Sequence, residues 1–114
     1  MSRIGFFASS VHPAHSHIGR PERYASDKAA QEDVRATSLK TFHGYLKDID
    51  GFYAGKEWML GAYSVVDPYA LVFYAWGLRR ELPVAELKNY TAFKDRMLKR
   101  PAVQRVVEDE KIKL

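Results

Sequence analysis

The sequence predicts an all-α fold, a bundle of about five helices, and three observations carry that expectation. Apolar residues recur at helical three-and-four spacing along most of the chain. Strand-like alternation is scarce, and only seven glycines and five prolines punctuate the 114 residues. With 46% of its residues apolar, a chain of this length buries roughly 65% of the surface its unfolded form exposes. One domain over residues 1–114 therefore needs no staple. Cysteine is absent, which removes disulfides, Cys-type zinc sites and any thiol nucleophile within the chain.

The first helix is expected from about Ser2 to Val11, where Ile4, Phe7 and Val11 fall on one face. Pro13 lacks an N–H and disfavours the α region for His12, so the helix should end or kink there. The stretch Ile18-Gly19-Arg20-Pro21-Glu22-Arg23-Tyr24 reads as a loop, after which Ser26 or Asp27 offers a short side-chain oxygen to cap the next helix. That second helix carries the most regular seam, Leu39, Phe42, Leu46, Ile49 and Tyr53. The seam fades after two heptads, which suits packing in a bundle rather than a coiled coil. Gly51 and Gly55 loosen its end, and residues 56–61 form a connecting turn. A third helix, from about Val65 to Arg79, is different: residues 69–76 are apolar or aromatic on every side, the pattern of a rod inside the domain. Leu87, Tyr90, Phe93 and Met97 stripe a fourth helix. Pro101, at a first-turn position, opens a fifth carrying Val103, Val106 and Val107.

The 18 basic and 14 acidic residues give a net charge of +4. The two signs alternate through Asp27-Lys28, Lys94-Asp95-Arg96 and Glu108-Asp109-Glu110-Lys111, as on a solvated helical surface. Without a segregated basic patch, no nucleic-acid partner is expected. The longest apolar run, Tyr69 to Leu78, is half of the roughly 20 residues that a membrane span needs. Met1-Ser2-Arg3-Ile4 does not open a secretory leader. A soluble, cytoplasmic protein without a membrane partner is the expectation. His12, His15 and His17 straddle Pro13 at spacings that do not put all three on one helical face, so no metal is expected there.

The segment Leu60-Gly61-Ala62-Tyr63-Ser64-Val65-Val66-Asp67-Pro68-Tyr69 opens the apolar third helix in one of two ways. In a capping box, the Ser64 hydroxyl accepts from the Asp67 N–H while the Asp67 carboxylate reaches back to the Ser64 N–H. Alternatively Asp67 is the N-cap and Pro68 the first helical residue, a position that suits proline. Local rules leave both open.

The order Leu60-Gly61, Ser64-x-x-Asp67, Tyr69 and an aromatic run ending in Trp76 resembles the capping box and buried helix of the C-terminal domain of glutathione S-transferases. Arg100-Pro101-Ala102-Val103-Gln104 is similar to the start of the last helix in bacterial, beta-class-like members, and Tyr90 falls in the preceding helix as theirs does. Phe6-Phe7-Ala8-Ser9 with His12, then Arg20-Pro21-Glu22-Arg23-Tyr24, looks like their first C-domain helix and the loop beyond. The resemblance covers essentially the whole chain and favours the Ser64–Asp67 box, with Tyr63 as the hydrophobic residue before the cap. Because it breaks a cap at a buried helix end, Asp67→Ala is then expected to cost about 1 to 2 kcal/mol or more.

The resemblance also implies an absent half. Members join a thioredoxin-like N-terminal domain, which binds glutathione and activates its thiol, to a helical domain that forms most of the electrophile pocket. This chain matches only the second, so conjugation by it alone is not expected; thioredoxin-like partner domain, glutathione and hydrophobic electrophile belong to a complete, homodimeric, detoxifying enzyme. His12 matches a histidine that reaches the thiolate, and an expected place near a helix C-terminus would favour its imidazolium form. Trp76 aligns with a tryptophan of the electrophile pocket, His15 with an aromatic pocket position, and Arg79 replaces a polar residue one turn after the tryptophan. Gly5 and Pro13 depart from the asparagine and lysine frequent in beta-class members. The competing expectation is a non-catalytic transferase-like helical module for protein or hydrophobic-ligand binding. If a partner domain has been removed, an apolar patch is expected where the first and third helices faced it.

Overall fold

A computed structural model describes residues 2–114, and those residues form helices and turns without a strand. Met1, the first residue of the segment inspected for a leader, lies outside them. Among the described residues there are five main helices: α1 over residues 3–19, α2 Lys28–Phe52, α3 Val66–Arg79, α4 Lys88–Leu98 and α5 Pro101–Asp109. Short 3-10 turns lie at Pro21–Arg23 and Val84–Glu86. The all-α expectation holds. Two compact units divide the chain, one ending at Tyr45 and the other beginning at Leu46, with the boundary inside the continuous α2.

In the first unit, Ser2 caps α1 by accepting the Gly5 N–H at 3.0 Å. The helix does not end at Pro13 but runs on to Gly19. A π turn over Phe7–Val11 precedes the proline, with the His12 N–H reaching back five residues to the Phe7 carbonyl. The wider turn resets the register, so Pro13 stands in the first turn of a fresh α segment, where its missing N–H is tolerated. Phe7, Val11, Ala14 and Ile18 form the buried stripe, while Ile4 is 40% exposed. The expected loop after α1 thus begins only at Arg20 and contains the Pro21–Arg23 turn. Asp27 caps α2, its carboxylate accepting the Ala30 N–H at 3.1 Å. Against α1, α2 sets Phe42 5.2 Å from the His15 ring and Tyr45 edge-on to Phe6 at 5.3 Å.

In the second unit, the end of α2 contributes Leu46, Ile49 and the following Tyr53 to a core with Phe73 and Tyr74 of α3 and Tyr90, Phe93 and Met97 of α4. Tyr53 stacks on Phe93 at 4.1 Å. The start of α4 has no local side-chain cap; Asp50 supplies it from α2, accepting the Tyr90 N–H at 2.8 Å. The Tyr90 hydroxyl donates in turn to the Ala70 carbonyl of α3. Helix α3 is not buried on every side. Ala70, Phe73, Tyr74 and Gly77 face the core, but Pro68, Val72 and Arg79 are exposed and Trp76 half-buried. The side toward α5 is an open groove rather than a packed contact.

Candidate functional site

The start of α3 converges on Asp67, which is fully buried. Its Oδ2 accepts the Ser64 N–H at 3.1 Å; its Oδ1 accepts the Tyr53 hydroxyl at 2.7 Å and the Met59 N–H at 3.2 Å. The Ser64 hydroxyl accepts from Val66 N–H at 3.4 Å, not from Asp67, whose N–H donates to the Ser64 carbonyl. The helix begins at Val66, so Pro68 is its third residue and the reading with Asp67 as N-cap and Pro68 first does not hold. A carboxylate anchored by three donors fixes this end and leaves Pro68 needing no N–H partner. The sequence marks Tyr53 only as a residue of the α2 seam and does not mark Met59. A tyrosine on a buried seam needs a partner for its hydroxyl, and that was the available signal for a buried acceptor. Burial first, then the hydrogen bond to Asp67, pushes the Tyr53 hydroxyl well above the usual tyrosine range.

Arg100, of the Arg-Pro segment, lays its guanidinium 3.8 Å from the Tyr63 ring centre. Arg96, one turn earlier, donates to the carbonyls of Lys56 and Glu57 at 2.9–3.2 Å. Together they fasten the loop before α3 to the end of α4. Beyond Tyr63 lies the groove between α3 and α5, a cavity of about 280 Å³. Leu71, Val72 and Ala75 form one wall, and Val103, Val106 and Val107 the other. A second cavity of about 550 Å³ adjoins it and shares Ala75, Ile112 and Leu114. Arg79, Lys111, Lys113 and Glu110 bring charge to that second cavity. Trp76 sits between these positions on α3, edge-on to Phe73 with ring centres 5.5 Å apart.

In the first unit, His12 and His15 lie three residues apart on α1. His12 is exposed, and the extension of α1 to Gly19 puts it far from the helix C-terminus. The dipole argument for an imidazolium at His12 therefore falls. His15 is half-buried against Phe42. His17 bonds through Nδ1 to the Pro13 carbonyl at 2.6 Å and stacks on Tyr24 at 3.7 Å. Among the described residues, no group of three or more His, Cys, Asp or Glu side chains is placed to hold a metal ion. No helix of the described chain is long and apolar enough to cross a membrane.

No protein-family model matches the sequence. Two solved structures share the fold. A glutathione-S-transferase from Xylella fastidiosa is 22% identical with a TM-score of 0.84 over 97% of this chain and 54% of its own. A glutathione transferase homolog from Sulfitobacter, crystallised with bound glutathione, is 26% identical with the same TM-score over 97% of this chain and 53% of its own. The fold is thus that of an all-helical part of a glutathione S-transferase. More particularly, the chain is like the C-terminal domain of those proteins and spans about half the length of each.

Proposed function

We propose that this chain supplies the electrophile side of a cytoplasmic protein that conjugates glutathione to hydrophobic electrophiles. The observation that carries the reading is the likeness over 97% of the chain to about half of two transferases, one of them holding glutathione. A thioredoxin-like half binds glutathione and lowers its thiol pKa, because only thiolate attacks at useful rates at neutral pH. In this reading that work falls to the thioredoxin-like half, and this chain has no βαβ unit among its described residues. The thiolate attacks an electrophilic carbon, a carbon–sulfur bond forms, and a leaving group departs with its electron pair or the adduct takes up a proton. Trp76, half-buried beside Phe73, offers an aromatic face to the electrophile, with Arg79 one turn further along. His15 contributes a ring on α1, and exposed His12 approaches the thiolate by hydrogen bonding rather than through a helix dipole. The complete protein is a homodimer in this reading.

The test titrates the chain with glutathione and a chromogenic aryl halide, with and without the thioredoxin-like half of the Sulfitobacter homolog. Conjugation is expected only when both parts are present. Turnover by the chain alone, or none with the two together and no aryl halide bound, overturns the reading.

A further inference from the structure

We propose that the second unit carries a one-electron oxidation path, running from Trp58 near the surface through Phe93 to Tyr53, where a radical comes to rest because Asp67 takes the phenolic proton. The rings are in contact. Half-buried Trp58, in the loop before α3, stands edge-on to Phe93 of α4 with ring centres 6.3 Å apart. Phe93 stacks on buried Tyr53 at 4.1 Å. Indole and phenol give up an electron to a radical oxidant far more readily than a benzene ring does, so Phe93 only bridges the other two. The partner of each hydroxyl then decides where the path ends. An oxidised phenol is a strong acid, and a base within hydrogen-bond reach must take its proton. Tyr53 has one, since its hydroxyl donates to the buried Asp67 carboxylate at 2.7 Å. The rings continue inward to Tyr90 at 6.2 Å and from there to Tyr74 at 5.0 Å. Tyr90, however, donates to the Ala70 carbonyl, and Tyr74 shares its hydrogen bond with the Thr91 hydroxyl. Neither partner is basic enough to hold a proton.

Charge points the same way. Arg96 and Arg100 set their guanidinium groups 6.0 and 5.7 Å from the Trp58 ring centre, and exposed Glu57 beside Trp58 offsets part of that charge. The Asp67 carboxylate lies at Tyr53, so positive charge is disfavoured at the outer end and favoured at the inner one. Arg96 acts on Tyr53 as well, but more weakly than Asp67 does. An oxidant of the peroxyl class takes one electron from Trp58 and, with a proton from water, leaves as a hydroperoxide. Trp58 recovers its electron from Tyr53, whose proton passes to Asp67 Oδ1. The products are intact Trp58, a Tyr53 phenoxyl and a neutral Asp67 that donates back to the phenoxyl oxygen. A thiolate then returns one electron to Tyr53 through the same rings and is released as a thiyl radical, while Asp67 gives the proton back. Oxidation is thereby held on a repairable ring instead of on buried Met59 next to Trp58, whose sulfoxide would put a polar group in the core. The path lies wholly in the second unit and does not rest on the conjugating role.

The experiment is pulse radiolysis of the full chain with azidyl radicals, which oxidise indole in preference to phenol, followed by absorbance. Wild type is expected to lose part of its indolyl signal and gain phenoxyl in a single first-order phase whose rate does not change with protein concentration. The phase slows in heavy water, since the phenolic proton moves with the electron. Tyr53→Phe and Trp58→Phe each abolish it while keeping an aromatic ring in place, and circular dichroism checks that both variants are folded. Under a sustained flux of peroxyl radicals, with glutathione as the source of thiolate, peptide mass spectrometry is expected to find more oxidised Trp58 and Met59 in Tyr53→Phe than in wild type. A phase that survives either substitution, quickens with protein concentration, ignores heavy water or is missing from wild type overturns the proposal, as does equal damage in the two proteins.

Discussion

Asp67 is the only fully buried charged side chain among the described residues, and its three donors come from three different places: Tyr53 after α2, Met59 in the loop and Ser64 at the start of α3. Removing the carboxylate leaves a hydroxyl and two N–H groups without an acceptor, each worth about 1–3 kcal/mol when buried. Asp67→Ala is therefore expected to cost at least about 3 kcal/mol by urea unfolding, more than a lost cap alone would. Tyr53→Phe removes only one of the donors and is expected to cost about 1 kcal/mol; an unchanged midpoint in Asp67→Ala would refute the anchoring role. The same tyrosine governs alkaline behaviour. Burial, then Asp67, raises Tyr53, and burial, then Tyr74, raises Tyr90, whereas both ionise near pH 10 once unfolded. Above that pH the unfolded chain holds fewer protons than the folded one, so the stability these groups contribute is complete below about pH 10 and declines as pH rises further. The limb should steepen by up to about 1.4 kcal/mol per pH unit for each tyrosine. Urea midpoints of wild type and Tyr53→Phe measured to about pH 11 check this, the variant showing the shallower decline.

At the scale of elements, the helix ends explain both what the sequence disclosed and what it concealed. The seam of α2, the stripe of α4 and the start of α5 at Pro101 were legible because each follows from spacing or from proline's missing N–H. Pro13 misled because a π turn upstream absorbs the register change, and no residue pattern announces one. The cap of α4 lay beyond local rules altogether, because Asp50 supplies it from α2, forty residues away in the sequence. Helices α3 and α5 end alike, with Glu81 at φ +60° and Lys111 at φ +53° where glycine is preferred. Glu81→Gly is therefore expected to stabilise the protein by about 0.5 kcal/mol, the relief being partly offset by a freer unfolded chain. Gly77 is the reverse case. A Cβ there would lie 2.6 Å from Val84 Cγ2 and 2.8 Å from Leu46 Cδ1, so the glycine is what lets α2, α3 and the Val84 turn approach. Gly77→Ala should cost about 1–2 kcal/mol despite alanine's better helix propensity, because Val84 is fully buried and β-branched, hence stiff at χ1. Differential scanning calorimetry distinguishes the two signs.

For the molecule as a whole, the fold was legible because several short motifs recur in order along the chain, and the two transferase structures carry the same path through 97% of it. The sites were less so. Arg79 was visible as a departure from a pattern, but its neighbours Lys111 and Lys113 come from a turn of left-handed backbone at the far end of the chain, which spacing cannot foresee. What folding leaves outside also has a consequence. Val65 is 72% exposed, Leu60 58% and Val106 55%, all in the second unit. A net charge of +4 with both signs interspersed repels copies only weakly at physiological salt, where screening acts within about 8 Å. Apolar side chains this exposed add an attraction between copies that such a charge does little to oppose. Under the proposed function, sedimentation velocity is expected to show concentration-dependent self-association that falls when a thioredoxin-like half is added. The double variant Leu60→Ser, Val65→Thr should shift it toward monomer, and since both side chains are exposed, stability should change by no more than about 0.5 kcal/mol at each site. A chain that stays monomeric at millimolar concentration and ignores the added half would mean that these side chains need no cover, and the picture of one half of a larger protein would lose its physical support.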